Sequence, residues 1–356
     1  MTDHISSVAI YYISGTGNAA SAATWIADEV KKAGITVSVN DIGHKEYCKP
    51  SEPIDKQITG FVYPTHGFNA IPAMIYFLLK MPAGKGARAF LVNTRGGLKM
   101  GRFFINGATG VALLMPAFIL LIKGYRMIGF RPVDLPSNWS FLHPGVRKKV
   151  ADSIYTHWEK HVRNFAVKII AGKKVWRGLY SLPVDIALTP IALGYSLAGR
   201  FFLAKTFVAG TSCDNCGLCI RECPTGSITM VDGRPYWKLT CESCMRCFNR
   251  CPKKAVQTTQ GMAVLFWTGI SWITGLLIAA VTSLLDINKD SDWWIAGSAI
   301  IHFGVIVSSV WVFYLITHML QRYKIFRLVI EYTSLSRFPF WRRYVSPWYR
   351  RKTNSN

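Results

Sequence analysis

The chain has 356 residues, half of them hydrophobic, with 42 Lys and Arg against 19 Asp and Glu, a formal charge of +23. That length allows more than one domain. Such a charge first suggests nucleic acid, but the basic residues cluster beside long apolar segments, so no nucleic-acid partner is expected and the charge reads as membrane-surface charge.

The opening residues, MTDHISSVAIYYISG, lack a basic stretch followed by a long apolar core. They read as a strand and not as an export signal, and nothing directs the chain out of the cytosol. From there to residue 133 strand and helix patterns alternate. Residues 7–13 form a short apolar run. Residues 18–33 have helical spacing, with Ala22, Trp25, Ile26, Ala27 and Val30 on one side. Ile35, Val37 and Val39 alternate as in a strand. Stretches 60–63, 87–93 and 125–133 read as three more strands, and 70–79 as a helix. The pattern predicts an α/β fold built on a doubly wound, five-stranded parallel sheet.

Ligands of such sheets bind at the carboxyl ends of the strands. Three loops are expected there: Ser14-Gly15-Thr16-Gly17-Asn18, then Tyr63 to Asn69 with Thr65, His66 and Gly67, then Asn93 to Gly97 with Arg95 and Gly96. The first combines glycines that let the backbone curl, inward amides and a helix N-terminus, a setting that favours phosphate. His66 is placed either to meet a bound ring or to cap a helix while solvated. Arg95 either holds negative charge on a ligand or lies at the surface.

Phe103 to Ile122 carries no charge over twenty residues, long enough to cross a bilayer. Yet it joins the fourth strand to the fifth, and a single crossing would leave the fifth on the far side. Asn106, Gly107, Gly110 and Pro116 also interrupt a continuous helix. It is expected to be a crossover helix plus an apolar flap, packed on the core or lying against a membrane. Ile186 to Gly199 is too short to span and reads as interfacial. Arg147, Lys148, Lys149, Lys173, Lys174 and Arg177 precede it and are placed to meet anionic lipid head groups.

The most specific stretch follows. The spacing C-x2-C-x2-C-x3-C-P occurs twice, at Cys213, Cys216, Cys219, Cys223 and Pro224, and at Cys241, Cys244, Cys247, Cys251 and Pro252. A cubane cluster needs four convergent thiolates, and one tight loop supplies three. In this pattern the fourth comes from the other half, so two [4Fe–4S] clusters are expected, one on Cys213, Cys216, Cys219 and Cys251, the other on Cys241, Cys244, Cys247 and Cys223. Structural zinc uses separated pairs of ligands, and a disulfide framework needs an oxidising compartment. The ninth cysteine, Cys48, reads as a small inert side chain. Asp232-Gly233 marks a hairpin inside the repeat.

Residues 263–285 contain no charge, and residues 293–320 none apart from His302 and His318. Each is long enough to span. The loop between them, from Asp286 to Asp292, holds three acids and one Lys, whereas Lys253 and Lys254 precede the first run and nine Lys or Arg follow the second. The positive-inside rule puts both ends in the cytoplasm and the acidic loop outside, in a bacterial-type cytoplasmic membrane. His302 lies inside the second run, where a hydrogen bond to a neighbouring Ser or Thr is preferred over a haem ligand, since the first run has no His.

The loop Ser14 to Asn18 resembles the flavodoxin phosphate loop, Ser/Thr-x-Thr-Gly-Asn-Thr, with Ala19 in place of the last Thr. The order of segments resembles the flavodoxin–ferredoxin fusion family over roughly residues 7–256, supported by YPTHGFNAIP, by Lys123 to Trp139 and by Gly199 to Phe207. The resemblance implies FMN, with Ser14, Thr16 and Asn18 at its phosphate, Gly15 and Gly17 shaping the loop, and Thr65, His66, Gly67, Asn93 and Gly96 around the ring. The expected organisation is a flavodoxin-like domain (1–170), an apolar and basic connector (171–209), a small α+β 2[4Fe–4S] ferredoxin domain (210–261), a transmembrane hairpin (262–321) and a basic tail (322–356).

No catalytic triad or paired acid and base carboxylates stand out. The expected function is a membrane-anchored electron carrier linking the clusters, an FMN and a redox partner protein or quinone at the membrane. Two alternatives stay open: a flavin-free ferredoxin whose first domain is a docking module, which Ala19 favours, and an iron–sulfur sensor or assembly factor.

Overall fold

The computed structural model describes residues 5–43, 48–285, 288, 291–344 and 346–349. The acidic loop expected between the two apolar runs lies almost wholly outside them.

The first domain is built on five parallel strands, β1 (Ser7–Tyr12), β2 (Thr36–Asp41), β3 (Gln57–His66), β5 (Arg88–Met100) and β7 (Arg126–Pro136), in spatial order β2-β1-β3-β5-β7. This is the doubly wound order in which the chain reverses beside its first strand. Two short antiparallel strands add to it, β4 (Asn69–Ala70) on the end of β3 and β6 (Phe103–Ile105) on the end of β5. Strands covered on both faces need burial along their length: central β3 is buried from Ile58 to Tyr63 and edge strand β7 from Met127 to Pro136. Gly60 in β3 is required by packing: a Cβ there would overlap the ring of Phe90, which stacks edge-on against Phe165.

Helices α1 (Asn18–Lys32) and α4 (Lys148–Ile170) cover one face, where Trp25, Tyr155, Trp158 and Phe165 pack in one core. Arg163 ties them at the surface, reaching Asp28, Glu29 and Glu159. On the other face α2 (Pro72–Lys80) and α3 (Leu114–Ile122) pack with Met74, Phe77, Leu113 and Leu120 buried. The uncharged run 103–122 is therefore a flap strand followed by a crossover helix, with Leu120 in the core and Phe118, Leu121 and Ile122 exposed.

Two expected loops are not loops. Asn93 to Gly97 continues β5, paired with Pro132 to Pro136 of β7. Thr65 and His66 end β3 and turn back through Gly67 and Phe68, both with positive φ, into β4. Polar residues and glycine at these strand ends hide their extended backbone from a hydrophobic pattern.

The connector folds into α5 (Leu182–Ala187), α6 (Thr189–Gly194), a π turn (Tyr195–Gly199) and α7 (Arg200–Lys205). The cysteine-rich domain pairs β8 (Phe207–Ala209) with β11 (Val256–Thr258) and β9 (Ile228–Val231) with β10 (Arg234–Trp237), around α8 (Leu218–Arg221) and α9 (Arg246–Arg250). Helix α10 (Gln260–Leu284) leaves directly from β11, and α11 (Asp292–Leu320) returns beside it, with Phe266 and Phe313 in ring contact at 4.4 Å.

The tail is no loose basic extension. Helix α12 (Lys324–Tyr332) places Glu331 against Thr211, whose N–H and hydroxyl donate to it at 2.7 and 2.6 Å. Arg342 and Gly145 exchange backbone and side-chain hydrogen bonds, and Tyr344 and Tyr349 are buried. Exposed aliphatic stems usually carry such a basic run into water, but here the carbonyls of two domains receive its guanidinium groups.

Gly60→Ala is expected to destabilise the first domain by about 2 kcal/mol through overpacking, and Phe90→Leu in the same background to restore part of the loss. Thermal unfolding of both variants in detergent checks this.

Candidate redox site

The two cysteine motifs fold as a repeat. Asn215 and Ser243, Gly217 and Met245, and Gly226 and Lys254 hold equivalent places, and all six have positive φ. Gly217 and Met245 open α8 and α9, so each loop curls its sulfurs towards one point before a short helix carries the chain off. Cys219 lies within electrostatic reach of Cys213, Cys216 and Cys251. Cys241, Cys244 and Cys247 each feel Cys223. The structure thus brings each fourth cysteine to the opposite trio. Cys213, Cys216, Cys219 and Cys251 line one small cavity together, with Cys247 of the other group also in its wall.

The fourth cysteines are held alike. Ser227 N–H donates to Cys223 Sγ and Ala255 N–H to Cys251 Sγ, both at 3.2 Å, and Trp237 Nε1 donates to Cys247 Sγ at 3.4 Å. Among the described residues no three Cys, His, Asp or Glu side chains close on a single-ion site. Four sulfurs around a cubane stand apart, and this donor set fits iron–sulfur clusters. Burial and neighbouring sulfur raise the Cys219 and Cys244 thiols to about 11.

A cleft of about 260 Å³ opens at the carboxyl ends of β1, β3, β5 and β7. Of the residues nominated from the sequence, Ser14, Gly15, Thr16, Asn18, Thr65, His66, Gly67 and Gly96 line it. Gly17 and Asn93 do not appear in its lining. Gly17 caps α1 at φ 97° and faces the tail, where a Cβ would collide with Ser346 Oγ. Asn93 is fully buried and donates to Thr65 Oγ1 at 2.7 Å, holding that side chain in place. Sequence reasoning missed Asn138, Trp139 and Tyr195 on the cleft wall, although Trp139 closes a stretch that carried the resemblance.

It also missed the most consequential wall. Ser243, Cys244 and Met245 of the second cysteine loop line this same cleft. A Cβ on Gly15 would collide with the Cys244 carbonyl oxygen, so only glycine lets the two domains touch here. Arg246, 7 % exposed, clasps the junction: Nε donates to the Gly15 carbonyl at 2.8 Å, and its terminal nitrogens to the Ser14 and Glu222 carbonyls at 2.5 and 2.8 Å. The Glu222 carboxylate is taken by Arg250 in a two-point pair at 2.7 and 2.9 Å. Tyr349 stacks on Arg250 and donates to the Gly15 carbonyl. Arg343 of the tail donates to the Phe248, Lys254 and Val256 carbonyls.

Several polar groups of the first loop are already engaged. Asn18 Oδ1 accepts from Tyr155 and Tyr344 at 2.6 and 2.8 Å, and its Nδ2 donates to Pro136. Thr16 accepts from Asn138, and Gly17 N–H donates to Ser14 Oγ. Arg95, expected to face a ligand or the surface, lines the cleft and is paired there with buried Asp134 at 2.6 Å. His66 bonds the Glu242 backbone, and burial pushes it down to about 4, so it is neutral at ordinary pH. Its Nδ1 and the Asn93 Oδ1 are buried without a hydrogen-bond partner. Unmet polar atoms beside an open cleft fit a site that takes a polar ligand, and an aromatic, phosphate-bearing group such as FMN matches the wall of Trp139 and Tyr195 and the loop at Ser14.

Residues 212–256 match the family model of a 4Fe-4S dicluster domain. The sequence finds no match among curated proteins. Structural likenesses include the rubredoxin oxygen:oxidoreductase of Desulfovibrio gigas (18 % identity, 46 % of this chain, 37 % of that one, TM-score 0.29). They also include a flavodoxin from the domain Archaea (12 %, 46 % and 98 %, TM-score 0.27) and a mutant flavo di-iron protein from Thermotoga maritima (16 %, 44 % and 36 %, TM-score 0.27). This chain thus spans little more than a third of the oxidoreductase it resembles. It is the strand order β2-β1-β3-β5-β7, together with the matched cysteine repeat, that makes the chain a flavodoxin-like domain fused to a ferredoxin-type 4Fe-4S dicluster domain.

Proposed function

We propose that the protein is a membrane-anchored electron carrier with two [4Fe–4S] clusters and an FMN site. One cluster is held by Cys213, Cys216, Cys219 and Cys251, the other by Cys241, Cys244, Cys247 and Cys223. Ser14, Thr16 and the loop amides hold the phosphate end of the flavin, with Thr65, His66 and Trp139 about its ring. A bound flavin and clusters supply one-electron chemistry of their own, while the chain positions them, excludes water and sets their surroundings. The observation that carries this reading is the position of Cys244, a residue of the second cysteine group that lines the same cleft as the first loop. One residue therefore belongs to both sites. Neutral His66 lines the cleft with a buried, unpartnered Nδ1, and Arg246 places a buried cation beside the second group.

Membrane anchoring is supported by α10, the one helix among the described residues found long and apolar enough to cross by length and composition. We read α11 as the return span. Both ends of this pair are tied to one folded body: Gln260 Nε2 donates to the Phe141 carbonyl, Gly261 N–H to the Thr333 carbonyl, and Arg322 pairs with Asp232. An even number of crossings is the arrangement that allows this, with both termini cytoplasmic. The electrons are exchanged with a redox protein or a quinone at the membrane. A second reading, a flavin-free carrier whose first domain only docks the clusters, is favoured by one observation: Asn18 and Thr16 already have protein partners, and Ala19 offers no hydroxyl.

Anaerobic purification in mild detergent, followed by acid release of iron, sulfide and flavin, tests the proposal. About eight irons and one FMN per chain are expected; eight irons with no flavin after FMN is supplied would leave the docking reading, and four irons would overturn the cluster count. Cys216→Ala and Cys251→Ala should each lose about half the iron and leave the same surviving cluster by electron paramagnetic resonance, different from the one left by Cys223→Ala. If Cys251→Ala and Cys223→Ala leave the same cluster, the crossed assignment is wrong. Arg246→Gln should keep the iron yet lower the second cluster's potential by on the order of tens of millivolts, read in a redox titration; an unchanged potential would make Arg246 a purely structural clasp.

A further inference from the structure

Between Arg177 and Arg200 the sequence has a single charged residue, Asp185. The fold turns that carboxylate inward: it is 2 % exposed and accepts from Gly110 N–H and Ser181 Oγ, both at 2.8 Å. What remains outward is apolar. Val184, Ile186, Ile191, Leu193 and Leu197 are all exposed, Leu197 by 74 %. Val184 and Ile191 stand seven residues apart, close to two helical turns, and the buried Asp185 and Ala192 are spaced alike, so the exposed apolar residues share the side turned away from the core. A contiguous apolar stripe of this kind in water marks a surface that meets something else.

We propose that the face of α5, α6 and the π turn lies in the head-group and acyl boundary of an anionic bilayer, an inference that rests on the membrane reading of α10 and α11. Three features choose lipid over a protein. First, the series runs on through α7, which packs against both the π turn and α11. Second, exposed cations flank it on the domain side, Lys173, Lys174 and Arg177, where head-group phosphates would sit. Third, exposed Trp176 lies among those cations and exposed Tyr180 follows them just before the apolar residues, the kind of amphipathic ring that settles at a membrane interface. None of the short helices can span, so this is a helix series lying in the interface plane.

The face has a consequence for the cleft. Tyr195, in the same π turn, lines it with its ring closed against Gly67, while Leu197, two residues on, points outward. The wall of the cleft and the lipid-facing stripe are opposite sides of one thin element.

The test uses the full chain in vesicles of phosphatidylcholine and phosphatidylglycerol with brominated acyl chains. A fluorescent unnatural amino acid replaces Leu193 in one preparation and Trp272 of α10 in another. Quenching of both probes, about two-fold or more, is expected. Ile191→Asp combined with Leu197→Asp alters neither labelled position, and should abolish quenching at 193 while leaving that at 272 and the iron content. Quenching at 272 alone would overturn the lipid-facing stripe and leave the spanning helices standing. Quenching at neither position would overturn both. If the 193 probe is shielded in detergent by a dimer that the double substitution dissociates, the stripe is a contact between copies and the lipid assignment falls.

Discussion

A guanidinium group without water is the constraint on which the structure turns. Arg246 sits between two domains with its hydrogen bonds directed to three backbone carbonyls. Burying a cation is costly unless dipoles or opposite charge surround it. The carbonyls of Ser14 and Gly15 therefore have to point away from α1, towards the cysteine loop, and the loop has to approach closely enough to reach them. That approach is what excludes any side chain at position 15. The same curl that turns these carbonyls outward leaves the other side of the loop to the cleft. One arginine thus fixes the conformation of the first loop, the seating of the second cysteine group and the closeness of the two sites.

The tail completes this arrangement. Tyr349 covers Arg246 and Arg250, and Tyr344 reaches Asn18 from the far end of the chain. Arg343 repeats the motif of a guanidinium capped by carbonyls, over the ring of Phe248 at 4.0 Å. Two domains that would otherwise meet through a small contact are fastened by a third element that belongs to neither.

Much of the fold was legible because it is local. Period-two and helical spacing located the five parallel strands, and the cysteine spacing carried its own geometry in short loops. The role of 103–122 followed from topology, since a crossover cannot change sides of a membrane. What stayed hidden depends on distant partners. Asn93 to Gly97 looks like a loop until β7 pairs with it. Helix α4 lies beyond the last predicted strand, although Ile154, Trp158, Val162 and Phe165 carry its buried face. The eight cysteines were visible as a set, yet nothing in their spacing places Ser243 to Met245 in the cleft, because that depends on a packing of glycine and arginine across 231 positions. The nine basic residues of the tail counted as surface charge, and only the carbonyls that receive Arg342 and Arg343 reveal otherwise.

The bond between Tyr344 and Asn18 links residues 326 positions apart, and it bears on the order of assembly. On the ribosome the parallel sheet and the cysteine repeat emerge before α10, whereas the segment that straps them emerges only after α11. Until then the outer side of the first loop lacks the cover of the tail, and the domains are joined through the connector and the Arg246 clasp. Closing a loop this long is entropically slow without the neighbouring α10 and α11 to shorten the search. Pairing of α10 with α11 and sealing of the junction become successive steps of one assembly.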